Sequence, residues 1–90
     1  MSPTAREMAE DPANPYKIRQ IPEEEAQERF GEAPAGEPRA SVLYAVLDRD
    51  SSEYGVYDLE GAEWWSAHLY WQYLQSESRA AALLSGRRNG

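Results

Sequence analysis

Cysteine is absent from this 90-residue chain, which excludes a disulfide framework, a thiolate nucleophile and any Cys-ligated zinc or iron–sulfur centre. Stability must therefore come from packing. Histidine occurs once, as His68, so a metal site has no second His or Cys at ligand spacing. Lysine also occurs once, as Lys17, and the only close basic pair is Arg87-Arg88. With 16 acidic against 9 basic side chains, a formal charge of -7, the chain repels phosphate backbones, so direct nucleic-acid binding is not expected. No apolar run approaches the roughly 18 residues of a membrane span. The stretch Met1 to Glu10 is polar and acidic, unlike a signal peptide. The expected compartment is the cytoplasm, with no membrane partner.

Catalytic signatures are scarce as well. Gly31, Gly36, Gly55 and Gly61 match neither nucleotide-binding fingerprint, and the serines include no G-x-S-x-G elbow. Asp48-x-Asp50-x-Ser52 opens like a calcium loop, but Glu53 stands where the sharp-turn glycine belongs and Leu59 where the bidentate glutamate belongs. A solvated turn accounts for it better. No catalytic residue, cofactor or metal ligand is assigned, and the chain is not expected to be an enzyme. Eight arginines against one lysine, with abundant Ala and Gly, point to a GC-rich coding sequence of bacterial or phage origin.

What is present is unevenly spread. Residues 1–38 hold all six prolines, nine acidic and four basic side chains, but only Tyr16 and Phe30 among the aromatics. The other eight aromatics fall between Tyr44 and Tyr73. The mean hydropathy of -0.79 conceals this concentration. Residues 1–14 lack apolar periodicity and are expected to be a flexible tail. A single small domain is expected over 15–86, with 31–39 as an internal loop and 87–90 as a flexible basic end.

Within that domain Tyr16-Lys-Ile-Arg-Gln20 alternates apolar and polar between Pro15 and Pro22, which predicts a short strand. Pro22 followed by Glu23, Glu24 and Glu25 starts a helix over 22–31 that Gly31 stops, with Ala26 and Phe30 as its buried stripe. Ala40 to Leu47 reads as a central strand buried on both faces. Tyr54 to Leu59 is its antiparallel partner across the Asp48–Glu53 turn, making a 40–59 β-hairpin. Asp58 caps a long helix over 60–85, which Gly86 ends and in which Ser76-Glu-Ser78 is a candidate break. The fold expected is α+β, order β-α-β-β-α, on a small antiparallel or mixed sheet.

The long helix carries two apolar ridges at about 100° per residue. Trp64, Ala67, Trp71 and Leu74 form one; Trp65, Leu69, Tyr73 and Ala80 form the other. A polar stripe of His68, Gln72, Gln75 and Arg79 separates them on one side, and a weaker one of Glu63, Ser66, Tyr70 and Glu77 on the other. A surface helix ordinarily buries one stripe. The second ridge is either core, sandwiched by other elements, or a contact surface, since Trp and Tyr dominate interface hot spots.

These features lead to an expected small acidic regulator or inhibitor that binds another protein through an aromatic helix face. The candidate partner-binding residues are Trp64, Trp65, His68, Tyr70, Trp71, Gln72 and Tyr73, with Asp48, Asp50 and Glu53 adding negative charge toward a basic partner. Two alternatives stand beside it. One is an accessory subunit or self-associating homodimer; the other is an acidic mimic of nucleic acid that occupies a basic site. The carboxylates have a simpler reading as solubilising charge.

Overall fold

The computed structural model describes residues 4–31 and 43–88. Six elements follow in order: α1 (Ala5–Glu10), β1 (Ile18–Ile21), α2 (Glu23–Phe30), β2 (Leu43–Leu47), β3 (Glu53–Tyr57) and α3 (Leu59–Arg88). The class is α+β, as composition and periodicity predict. The strands make one antiparallel sheet in the order β1-β2-β3. β2 is therefore central, and its Ala45 and Val46, which point to opposite faces, are both fully buried. Residues 32–42, which hold most of the expected 31–39 loop and the start of the expected strand, lie outside the described residues.

Pairing fixes which side chains share each face. Arg19, Ile21, Leu43, Ala45 and Val56 lie on one face, where Ile21, Ala45 and Ala26 of α2 form a buried cluster flanked by Leu43, Leu47 and Val56. Ile18, Val46 and Tyr57 lie on the other, against α3. The register slips between Val46 and Leu47, so that Glu53 pairs with Leu47 and Tyr54 is the extra residue of a bulge. The bulge brings Tyr54 round to Trp65, ring centroids 5.5 Å apart, while Tyr57 stacks on the same indole at 5.9 Å. Gly55 lets the Tyr57 ring lie flat over the strand, since a Cβ there would meet that ring's Cζ at 2.7 Å.

Local chemistry sets the helix ends. Pro22 caps α2, three glutamates fill its first turn, and Gly31 ends it in a left-handed conformation (φ 75°) that favours glycine. Phe30, expected to be buried, is instead 49% exposed. Only Ala26 is small enough to sit against the sheet, and ion pairs do the rest: Arg19 to Glu25 at 3.1 Å and Arg29 to Glu25 at 3.2 Å and to Glu53. Asp58 caps α3 as expected, its Oδ1 accepting from the Gly61 N–H at 2.7 Å.

α3 runs unbroken through Ser76–Ser78 and through Gly86 to Arg88, past both expected stops. One interior glycine costs about 1 kcal/mol without forbidding a helix. Thirty residues make about 45 Å of helix, well beyond the 29 and 20 Å short dimensions of the molecule. Every residue from Leu74 to Ser85 is accordingly exposed.

The expected flexible tail needs a larger correction. Residues 4–14 are ordered: Thr4 Oγ1 accepts from the Glu7 N–H to start α1, and α1 packs along α3. The chain then turns through Asp11–Asn14 into the sheet. Asn14 and Ser66, both fully buried, lock this arrangement. Asn14 Nδ2 donates to Ser66 Oγ (3.0 Å) and to the Met8 carbonyl (3.0 Å), its Oδ1 accepts from the Tyr16 N–H (2.8 Å), and Ser66 Oγ donates to the Tyr16 carbonyl (2.6 Å). The tail expectation failed because the apolar content of α1 is small while its anchors are hydrogen bonds, which hydrophobic periodicity does not register.

Candidate functional site

The ten residues singled out by sequence, seven of them on α3, fall in different environments. Trp65 belongs to the core side, enclosed by Tyr54, Tyr57 and the edge of Trp64. Tyr73 meets the Tyr16 ring edge-on at 6.4 Å and carries the Arg49 guanidinium 4.8 Å above its own ring. Tyr70 is buried beneath α1, and its hydroxyl donates to Asp11 Oδ2 at 3.3 Å. Burial raises the Tyr70 pKa, and the Asp11 carboxylate adds to that shift. These three aromatics make packing contacts within the chain, Tyr70 buried and Trp65 and Tyr73 partly so. Of the expected wet stripe, Glu77 is exposed, but Glu63, Ser66 and Tyr70 lie on the best-covered side of α3 beyond the sheet. Residues 4–16 lie over it, and a reading that treats those residues as a tail leaves the stripe no neighbour.

The acidic trio is also committed to structure. Asp50 Oδ1 accepts from both the N–H and the hydroxyl of Ser52, which lowers its pKa. Asp48 Oδ1 accepts from the Arg49 N–H inside the same turn. Glu53 is paired with Arg29, whose hydrogen bonds hold its carboxyl below the usual glutamate range. The turn stands beside Tyr73, which lies about 160–180° round α3 from Trp71 and Trp64, so the trio does not join the exposed tryptophans.

Trp64, His68 and Trp71 do come together. Trp64 and Trp71 are 51% and 52% exposed although both sit on a well-packed stretch of helix. His68 stacks on Trp64 with centroids 4.8 Å apart and planes 12° from parallel, and meets Trp65 edge-on at 5.8 Å. Gln72 is exposed on the adjoining polar side. Ala5 and Met8 of α1 complete a shallow groove of about 230 Å³ with Trp64, Ala67, His68 and Trp71. The α1 wall was missed by sequence reading, although Thr4-Ala-Arg-Glu7 carries the spacing of a helix-start capping box and could have revealed it. Glu7, Glu10 and Asp11 surround a second hollow against Tyr70 and Leu74, so the aromatic stripe has an acidic border on its α1 side.

Chemically the groove offers flat apolar area and one imidazole. Among the described residues no group of three or more His, Asp or Glu side chains is placed to hold a metal ion. Among the same residues no helix is long and apolar enough to cross a membrane. Comparison with family models, with curated proteins and with solved structures gave no match.

Proposed function

We propose that this chain is a small acidic regulator or inhibitor that acts without catalysis, in the cytoplasm, by binding a partner protein through the Trp64–Trp71 face of α3. The observation that carries the reading is the half-exposure of two tryptophans about two turns apart on one ridge of α3. Each tryptophan leaves on the order of 100 Å² to be covered, in the residue type most enriched at binding hot spots. Of the carboxylates beside it, Glu10 is paired with Arg6 and Asp11 accepts from the Tyr70 hydroxyl, so Glu7 is the one best placed to meet a basic group on a partner. The only titratable side chain in the groove, His68, spends its ring face on Trp64, which supports contact over catalysis.

A nucleic-acid mimic draws less support, because Glu25 and Glu53 are already matched by Arg19 and Arg29. Self-association draws more, from the uncovered second half of α3. Affinity capture from the producing cells with the wild type, Trp64→Ala/Trp71→Ala and Gln27→Ala tests the reading. A protein retained by the wild type and Gln27→Ala but lost with the tryptophan double variant is expected. Equal retention by all three would refute it.

A further inference from the structure

The exposed tryptophans lie on a stripe that does not end with them. At about 100° per residue the side of α3 bearing Trp64, Ala67, Trp71 and Leu74 continues through Ser78, Ala81, Ala82 and Ser85. Its first half is bulky and its second half is small. Positions 64, 67, 71, 74, 78, 81 and 85 alternate by three and four residues, the spacing at which one helix meets another along a seam. Everything from Leu74 to Ser85 is exposed. A free-standing helical segment of that length is marginal in water unless something packs on it.

We infer that the occupant of this face is a second copy of the same chain, its α3 running antiparallel about a two-fold axis beside Gln72 and Tyr73. The inference rests on the reading of the Trp64–Trp71 face as a protein-contact surface, and it names the partner. In this register Trp71 of each copy lies opposite Leu74 of the other, Ala67 opposite Ser78, and Trp64 opposite Ala81. Trp64 thus meets a small residue, Trp71 packs against Leu74 near the two-fold axis, and the groove between α1 and α3 receives the small-residue end of the second helix.

Charge selects the same direction. α3 begins with Asp58, Glu60 and Glu63 and finishes with Arg87 and Arg88 in the sequence. An antiparallel copy sets the basic last turn level with the acidic first turn, at both ends of the pair. A parallel copy would set acid beside acid, base beside base, and tryptophan on tryptophan. The helix dipoles also oppose one another in the antiparallel arrangement.

The opposite ridge cannot serve, because the β2–β3 turn closes its base where Arg49 lies over Tyr73. The area is sufficient for a reversible contact. Four half-exposed tryptophans and two Leu74 side chains offer on the order of 500 Å². With the surfaces they cover, the total is roughly 1,000 Å², at the lower limit for a specific interface.

Sedimentation equilibrium of the full chain, from low to high micromolar, tests the pairing together with Trp71→Ser and Ala81→Glu. Ala81 is exposed on α3, so Ala81→Glu is expected to leave the described fold intact. Circular dichroism checks this for both variants. A wild-type monomer–dimer equilibrium is expected, with the dissociation constant raised at least tenfold by either substitution. Spin labels at Gln75→Cys and Ser85→Cys read the direction, since the axial separations between copies are about 8 Å and about 37 Å in the antiparallel register.

A dimer indifferent to Ala81→Glu overturns the inference, as do short separations at both labels. A chain that stays monomeric while the Trp64→Ala/Trp71→Ala variant loses a different captured protein also overturns it, and leaves the contact-surface reading standing. A monomer from which no captured protein is lost defeats both.

Discussion

Replacing Asn14 by alanine should loosen the whole N-terminal third of the molecule, although Asn14 touches neither groove tryptophan. Three hydrogen bonds leave with the side chain: to Ser66 Oγ and the Met8 carbonyl at 3.0 Å each, and from the Tyr16 N–H at 2.8 Å. The Met8 carbonyl keeps a second donor, the Asp11 N–H at 3.3 Å, and Ser66 still donates to the Tyr16 carbonyl. The Tyr16 N–H is left facing a dry space, at a cost of about 1–3 kcal/mol. The lost bonds and the small cavity add about 1 kcal/mol more, so a total of about 3 kcal/mol is expected. A chain of this size is stable by roughly 5–13 kcal/mol, and the midpoint of thermal unfolding should fall by about 15 °C.

Urea unfolding followed by tryptophan fluorescence and by circular dichroism measures the loss, with trypsin cleavage at Arg6 reporting release of α1. Asn14→Ala and Ser66→Ala break one shared contact, so their double variant should cost about 1 kcal/mol less than the sum. A loss under about 1 kcal/mol for Asn14→Ala, or strict additivity with Ser66→Ala, would mean that the Asn14–Ser66 lock does not hold residues 4–16 to α3.

Other outcomes follow from single sites. Gly55→Ala drives a methyl into the Tyr57 ring and off its stack on Trp65, and should cost about 1–3 kcal/mol with a shift in tryptophan emission. Ser51, held at φ 69° in the β2–β3 turn, should give about 1 kcal/mol of added stability when changed to glycine, read as a higher urea midpoint. Arg19 and Arg29 depress the pKa values of Glu25 and Glu53 in the folded chain. Their stabilisation is therefore complete above the unfolded glutamate value, roughly pH 4.3, and is lost as pH falls through the lower folded values. Arg29→Met should flatten this acid limb while leaving the Trp64–Trp71 groove unchanged, because both carboxylates lie on the α2 side of the sheet.

The parts of the fold legible in the sequence are those written in hydrophobic spacing and end chemistry. The unbroken apolar run ending at Leu47, the Asp58 cap and the Pro22–Glu25 helix start each led to an element in the right place. α1 escaped because its adhesion depends on Asn14, Ser66 and the Asp11–Tyr70 bond, polar contacts between residues about 50 to 60 positions apart. The same gap misassigned Tyr70, which residues 4–16 cover. Helical spacing alone separated Trp64 and Trp71 from Trp65 and Tyr73, but it could not say which ridge meets the sheet. The bulge that turns Tyr54 toward Trp65 decided that. Phe30 misled because i, i+4 spacing marks a stripe without guaranteeing that the stripe has anything to face.

The most direct test of the central claim is photo-crosslinking from the groove itself in living cells that produce the protein. A photoreactive phenylalanine analogue at His68 or at Trp71 should yield a discrete protein adduct, of about twice the 10.2 kDa chain mass if the partner is a second copy. The same analogue at Gln27, on the exposed side of α2, should yield none. An adduct pattern from His68 and Trp71 indistinguishable from that at Gln27 would contradict the assignment of α3's exposed tryptophans to protein contact.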